Sequence, residues 1–285
     1  MRARTISGSP APMDRLRCAV HAETGIRLPP AKDLMIQSRL QRRVLYLGLP
    51  DLETYLSCLF DGGRLDAELP EIVDLLTTNK TDFFREEAHF RLLRDRIIPQ
   101  ALGRAPPGRT VRFRVWSAAA STGAEAWSAA MLLARAAEAD PRLDWAILGT
   151  DISRRVLEGA RRAIYSAEEL RPVPEDLRCA YVMSGRAGTV ARGRIVPELR
   201  ARVRFAALNL MEAPYEVEAG LDVVFLRNVL IYFEPDVQRR VVAAVSRHLR
   251  PGGHLIVGHT ESMNVNEASL SQIAPGAFRQ TKGTR

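Results

Sequence analysis

Val111-Arg-Phe-Arg-Val-Trp-Ser-Ala-Ala-Ala-Ser-Thr-Gly-Ala-Glu-Ala-Trp-Ser128, running on through Ala129-Ala-Met-Leu-Leu-Ala-Arg135, is the stretch whose reading decides the fold. Val111, Phe113, Val115 and Ser117 alternate with Arg112, Arg114 and Trp116, the period-two pattern of a half-buried strand. Side chains nearly vanish from Ser117 to Gly123, and a helical apolar run follows. This is the βα unit that opens a doubly wound α/β sheet, where a ligand lies against bare backbone and the helix aims its first amides at it. An ordinary strand, turn and helix with no ligand is the competing reading of the stretch taken alone.

The chain has 285 residues, enough for one big domain or two modest ones. No apolar run approaches membrane-spanning length, and residues 1–12 hold no apolar signal core, so they read as a flexible leader on a cytoplasmic protein. Cys18, Cys58 and Cys179 are far apart and lack CxxC spacing; three reduced, mostly buried thiols are expected, with no metal site or disulfide framework. An excess of 41 Lys and Arg over 33 Asp and Glu gives +8, which favours acidic partners. Nucleic acid and an acidic protein surface satisfy that charge equally.

Residues 13–76 read as a small all-helical domain. Asp33 to Gly48 places Leu34, Leu40, Val44 and Leu47 near one face, with Arg39, Arg42 and Arg43 mostly elsewhere. Those arginines read as a solvated face or, functionally, as a docking face for an acidic helix. Asp51 is placed to cap the next helix, which ends at Asp61-Gly62-Gly63. Residues 77–110 form a connecting segment. Its start, Thr77-Thr-Asn-Lys-Thr-Asp-Phe-Phe-Arg-Glu86, has no amphipathic period; it suits a plain linker or part of a site, with Thr81 or Asp82 capping a helix over 88–102.

Residues 111–285 carry the sheet. A second strand, Trp145 to Asp151, precedes a helix from Ser153 to Ala163. Glycine-separated hairpin strands between Gly185 and Val196 mark an inserted β-subdomain at about 184–200. Val203 to Leu210 and Leu221 onward are further strands, the latter an apolar run ending in Arg227 and Asn228. Pro235 to Leu249 reads as helix, Pro251-Gly252-Gly253 as a turn, His254 onward as the fifth strand, and Ala277 to Thr281 as a pairing segment at the sheet edge.

Strand carboxyl ends thus gather Ser117 to Glu125, Asp151, Asn209, Arg227 and Asn228, at the edge where open α/β sheets bind ligands. A dinucleotide needs GxGxxG to seat its pyrophosphate, and this turn has only Gly123. S-adenosylmethionine has no phosphate and ends in a cationic amino-acid group, which suits an acid such as Glu125. Asp151 would accept from both ribose hydroxyls; capping the next helix is its structural alternative.

Thr77-Thr-Asn-Lys-Thr-Asp-Phe-Phe-Arg-Glu86, Val115-Trp-Ser-Ala-Ala-Ala-Ser-Thr-Gly123, Thr150-Asp-Ile152, Arg227-Asn-Val-Leu-Ile-Tyr-Phe233 and Gly258-His-Thr-Glu-Ser262 resemble, in order and spacing, the CheR family of chemotaxis receptor glutamate methyltransferases. Gly25 to Arg43 is similar to that family's helical domain. The resemblance implies a Rossmann-like, doubly wound S-adenosylmethionine-dependent methyltransferase sheet with an inserted small β-subdomain, preceded by a small all-helical domain. It implies methyl transfer to glutamate side chains on the cytoplasmic helices of chemoreceptors by a monomer, with no metal, nucleic acid or membrane insertion. Positions matching the family's cofactor contacts are Asn79, Thr81, Arg85, Glu125, Asp151, Asn209, Leu210, Leu226, Arg227 and Asn228, with S-adenosylhomocysteine the product. Arg85 and Tyr232 match the substrate side, and the hairpin matches a subdomain that in some members grips a receptor's C-terminal tail peptide.

The residue types agree with that chemistry. A glutamate is ionised near neutral pH, so the reaction needs in-line placement and removal of water rather than a strong base. Arg85 is suited to hold one carboxylate oxygen while Tyr232 orients the other; without the resemblance, Tyr232 reads as a core aromatic beside Phe233. His259 and Glu261 read as structural partners at a strand end. Where the family has Gly-Glu-Glu-Pro-Tyr-Ser, this chain has Gly123-Ala-Glu-Ala-Trp-Ser128; Glu125 keeps the second acid, while Ala124, Ala126 and Trp127 leave affinity and helix geometry open. A non-catalytic adaptor that binds the cofactor or its product is the alternative, and a nucleic-acid methyltransferase rests only on positive charge.

Overall fold

The computed structural model describes residues 11–187 and 190–281. Residues 1–10 of the expected leader and Gly188 and Thr189 of the hairpin lie outside the described residues. The chain divides into two compact units, Met1–Thr78 and Asn79–Arg285.

The first unit comprises α1 (Pro12–Thr24), α2 (Asp33–Tyr46), α3 (Leu52–Phe60) and α4 (Leu65–Leu76). Leu16, Val20, Ile36, Leu40, Val44, Tyr55, Leu59 and Ile72 form its core. Ile36 takes the place expected for Leu34, which is 80% exposed: Ile36, Leu40 and Val44 stand four apart and share one helix face. Asp51 caps α3, accepting from the Thr54 N–H at 2.8 Å.

Two of the three arginines of α2 are not a solvated face. Arg39 donates to the carbonyls of Leu76 and Thr77 at 2.9 and 3.0 Å, satisfying acceptors that the end of α4 leaves open. Arg43 forks onto Glu68 at 2.8 and 2.9 Å, and Tyr55 donates to the same carboxylate at 3.0 Å. Arg42 remains exposed. The thiols are free as expected, but Cys18 and Cys179 are exposed rather than buried, on helix positions that face away from the core.

The second unit begins with α5 (Glu87–Leu92), a π-turn (Leu93–Ile97) and α6 (Ile98–Arg104). Its seven-stranded sheet contains β1 (Val111–Ala118), β2 (Leu143–Asp151), β6 (Val203–Ala207), β7 (Leu221–Leu226), β8 (Leu249–Val257), β9 (Leu270–Ala274) and β10 (Ala277–Gln280). The order is β6-β2-β1-β7-β8-β10-β9, parallel through β8, with β10 and β9 antiparallel. All six residues of β7 are buried, which explains the apolar run from Val223 to Leu226. The helices α7 (Ala124–Ala139), α8 (Arg154–Arg162) and α11 (Pro235–Ser246) follow β1, β2 and β7. The chain reverses direction across the sheet at β1, placing a switch-point crevice at its carboxyl end.

Three readings of this unit change. Pro251-Gly252-Gly253 is not a turn but part of β8, where the register against β7 shifts; a Cβ on Gly253 would fall 2.7 Å from the Leu221 carbonyl oxygen. Ala277 to Gln280 pairs on both sides, and β9 forms the edge. The small sheet has the order β3-β5-β4, built from β3 (Ile164–Ser166), β4 (Val182–Ala187) and β5 (Val190–Ile195), with α9 (Glu175–Tyr181) between β3 and β4 and α10 (Pro197–Arg200) after β5; it starts well before residue 184. No helix of the described residues is long and apolar enough to cross a membrane.

The Arg43–Glu68–Tyr55 group yields a stability prediction. Hydrogen bonding from Arg43, opposed by burial, holds the Glu68 carboxyl below its ordinary 4.5. Its contribution is therefore present above that value and lost as pH falls through the lowered one. Glu68→Ala strands the Arg43 charge and should cost roughly 3 kcal/mol at neutral pH. Urea unfolding of the wild type and variant at neutral pH and near pH 3 checks both points, the gap between them shrinking in acid.

Candidate functional site

The turn after β1 is held from below. Gly123 sits at φ +86, and a Cβ there would fall 2.9 Å from Ala160 Cβ and 3.1 Å from Phe205 Cζ, so glycine alone fits between the turn, α8 and β6. The Ser121 N–H, at φ +51, donates to Asp151 Oδ2 at 2.9 Å, and the Ser153 N–H donates to Oδ1 at 3.0 Å. Asp151 thus ties the first turn to the second, while Ser153 is the N-cap of α8, accepting from the Val156 N–H at 3.4 Å. The Ser121 hydroxyl donates to the Asn79 carbonyl at 2.7 Å, which brings the start of the unit onto the turn. Ala124, Ala126 and Trp127 are 2%, 0% and 1% exposed, with the indole packed 5.5 Å from the Phe205 ring. These departures from the family pattern face the core.

Above the turn runs a buried chain of charge. Glu125 Oε1 accepts from the Ser117 hydroxyl at 2.7 Å, and Oε2 accepts from Arg227 Nη1 at 2.9 Å. Arg227 Nη2 reaches Glu86 Oε2 at 3.2 Å and the Arg85 carbonyl. Burial pushes the Glu86 carboxyl up, but Arg227 and Asn228 outweigh it and leave it below the usual range. His89 lies with Nδ1 3.3 Å from Glu86 Oε2, and burial together with Arg227 pushes its ring down to about 4, so it stays neutral near pH 7. One guanidinium between two carboxylates leaves one formal negative charge, and Arg227 Nε is buried without an acceptor. A cation carrying a carboxylate, such as the amino-acid end of S-adenosylmethionine, fits both features.

Glu261, read from the sequence as a structural partner, has a larger part than that reading gave it. Fully buried, it accepts from the backbone N–H of Asn228 at 2.7 Å, Gly258 at 2.8 Å and Ile231 at 3.2 Å. Burial raises its carboxyl above the ordinary 4.5, against the pull of these amides. It thereby holds Asn228 at φ +57 and the short 3-10 turn Leu230–Tyr232. Gly258 makes the approach possible, since a Cβ there would fall 2.7 Å from both Asn228 Nδ2 and Glu261 Oε2. No periodic pattern marks such a carboxylate; the one signal was an acid beside glycine at a strand end.

The remaining predicted residues divide. Arg85 is half-buried, and Nη1 donates to the Lys80 carbonyl at 3.2 Å, leaving the guanidinium without a carboxylate partner among the described residues. Tyr232 is half-buried, whereas its neighbour Phe233 is buried, so Tyr232 is not the core aromatic its surroundings suggested. Neither Thr81 nor Asp82 caps a helix: α5 starts at Glu87 with Glu86 before it at φ +57. Phe83 and Phe84 are buried against Tyr165 and Phe90, ring centres 4.9 and 5.2 Å apart. Leu226 is wholly buried, so only its backbone can face a ligand. Beyond β6, Asn209 Oδ1 accepts from the Met211 N–H at 3.0 Å, and the Leu210 carbonyl accepts from the Tyr215 hydroxyl at 2.8 Å.

Residues 79–277 match the family described as CheR methyltransferase, SAM binding domain, and residues 11–77 match CheR methyltransferase, all-alpha domain. The chain belongs to the CheR methyltransferase family. It is 37% identical over 249 residues to chemotaxis protein methyltransferase 2 of Pseudomonas aeruginosa, covering 87% of this chain and 85% of that one. It is also 37% identical to the chemotaxis protein methyltransferases of Escherichia coli, covering 90% and 86%, and of Salmonella typhimurium, covering 92% and 88%. The second unit of this CheR chain is thus an S-adenosylmethionine-dependent methyltransferase domain, with its polar residues at the sheet's carboxyl edge.

Glu261→Gln turns one acceptor into a donor facing backbone N–H groups, and Gly258→Ala pushes the same loop away. Each should weaken S-adenosylhomocysteine binding about tenfold or more, the range for a lost buried hydrogen bond to a charged group. Calorimetric titration measures it; unchanged affinity in both folded variants would refute the loop-holding role.

Proposed function

We propose that this chain transfers a methyl group from S-adenosylmethionine to the side-chain carboxylate of specific glutamates on chemoreceptors, forming methyl esters for chemosensory adaptation. The observation that carries the reading is the buried Glu86–Arg227–Glu125 chain, one negative charge in excess, at the carboxyl edge of a SAM binding domain. The curated relatives are named as chemotaxis methyltransferases, which favours turnover over a non-catalytic adaptor.

When bound, S-adenosylmethionine supplies an electrophilic sulfonium methyl. The chain's own residues would hold and orient. Glu125 and Arg227 take the amino-acid end, Asp151 the ribose, and Asn79, Thr81, Asn209, Leu210, Leu226 and Asn228 the remaining edge of the crevice. Asp151 suits its part because it stands at the carboxyl end of β2, held to the turn after β1 through the Ser121 N–H, and a carboxylate can accept from both ribose hydroxyls. Arg85 has a guanidinium without a carboxylate partner and would clamp one oxygen of the incoming glutamate. Tyr232, on the turn that Glu261 holds, would orient the other. Those two contacts fix the nucleophile in line and exclude water.

No metal enters this scheme. Among the described residues, Glu86, His89 and His259 bring ligand atoms within 4.8 Å of one another, but Glu86 is already paired with Arg227. The substrate carboxylate is ionised without a Lewis acid. The protein would act in the cytoplasm as a monomer, without nucleic acid or membrane insertion, with the open outer edge of β4 offered to a receptor's C-terminal tail peptide.

Labelled S-adenosylmethionine with a cognate receptor fragment should give base-labile methyl label; absence of label, with both partners bound, would sink the reading. Arg85→Ala and Tyr232→Phe should lower kcat by roughly tenfold to a thousandfold, the range for losing a positioning or charge-stabilising contact. Tyr232→Phe should leave S-adenosylhomocysteine affinity within about threefold. A strong chelator should leave the rate unchanged; loss restored by a divalent ion would overturn the metal-free scheme.

A further inference from the structure

At the amino edge of the sheet, opposite the candidate site, three arginines converge. Arg104 ends α6, Arg250 lies at the start of β8, and Arg279 lies on β10 directly across from His254. With Pro251, Gly252, Gln280 and Thr281 they line a cavity of about 520 Å³. A Cβ on Gly252 would lie 3.3 Å from Arg279 Nη2 and 3.6 Å from Arg250 Nη1, so two guanidinium groups face one point. Gly252, at φ +74, keeps that point open.

The charge there is not balanced. Asp222, 4% exposed, is already engaged: Oδ1 accepts from Arg250 Nε at 2.6 Å, and Oδ2 accepts from the Arg114 N–H at 2.8 Å. Among the described residues, neither the Arg104 nor the Arg279 guanidinium makes a hydrogen bond or ion pair. Three guanidinium groups against one carboxylate leave two positive charges in a concave surface. His254, 2% exposed with Nδ1 lacking a partner, lies under them; burial and the three arginines push its ring down to about 4, so it does not relieve the imbalance. Like charges so placed repel at any effective dielectric.

We propose that this cavity is a binding site for a phosphate-bearing anion, separate from the site at the carboxyl edge. A phosphate monoester or pyrophosphate group matches the two excess charges, and its oxygens suit the flat donor forks of arginine. The phosphate can be that of a soluble metabolite or of an anionic lipid headgroup. β8 and β10 together carry Arg250, Gly252, Arg279 and Gln280, so occupancy would clamp the pairing of these two strands.

The full chain at low ionic strength is titrated with inorganic pyrophosphate by calorimetry, and sedimented with vesicles of phosphatidylcholine with and without phosphatidylglycerol. One-to-one pyrophosphate binding, weakened at least tenfold by Arg104→Gln and by Arg279→Gln, supports the site with a soluble source. Sedimentation only with phosphatidylglycerol, lost in both variants and competed by pyrophosphate, supports it with a lipid source. Binding of neither probe, or binding unchanged in both variants, overturns it. Without ligand, both variants should melt at or above the wild-type temperature, because each removes a repelling charge. A clear fall in both would mark the arginines as structural and would also overturn the proposal.

Discussion

Arg227 is the side chain on which the candidate site depends. Its guanidinium, 2% exposed, is gripped by Glu125 from α7 and Glu86 from the segment before α5, and it also reaches the Arg85 carbonyl. A buried charge of this kind is tolerated only because its donors find partners, and removing either acid would cost far more than the pair itself contributes. The ion group therefore fastens three separate parts of the chain at the carboxyl end of β7. It also sets the character of the ligand: two carboxylates around one guanidinium make a buried place that favours a cation and disfavours a free phosphate.

Backbone strain gathers at the same place. Of the five non-glycine residues at positive φ among the described residues, Phe84, Glu86, Ser121 and Asn228 border the site. Each is held by a specific polar partner: the Phe84 N–H by Ser128 Oγ at 2.9 Å, the Glu86 carboxylate by Arg227, the Ser121 N–H by Asp151, and the Asn228 N–H by Glu261. Such conformations cost of order 1–3 kcal/mol each and persist only where the surroundings over-determine them. The polar residues of the crevice thus do two things at once, bending the backbone and presenting the groups that the bend exposes.

This double role explains what could be read from the sequence. Period-two alternation in β1, the apolar run of β7 and the small residues before Gly123 are local patterns, and they marked the sheet and its ligand edge. Asp151, Arg227 and Asn228 stood out because polar residues at strand ends are visible without knowing their partners. Glu86 as a partner of Arg227, and Glu261 as the holder of the Asn228 loop, depend on contacts between residues 141 and 33 positions apart, which no local period encodes. The misplacement of Leu34, the missed edge strand β9 and the reading of Pro251-Gly252-Gly253 as a turn have the same origin. In each, a tertiary neighbour overrode a local preference: the core face around Leu40, the pairing of β10, and the close backbone of β7.

The net charge of +8 also takes on a shape in the fold. At the carboxyl edge the buried Arg227 lies between two acids, and at the amino edge three arginines outnumber one acid. Each edge has a buried histidine, His89 and His254, pushed down to about 4 by burial and by the arginines beside it. Near neutral pH neither ring carries charge, so neither can supply the missing counter-charge at its edge. The buried rings thus leave the sign of each edge to its acids and arginines over the range in which an ordinary histidine would titrate. The same sheet therefore presents a place for a cation at one end and for an anion at the other, with the β8 strand running between them.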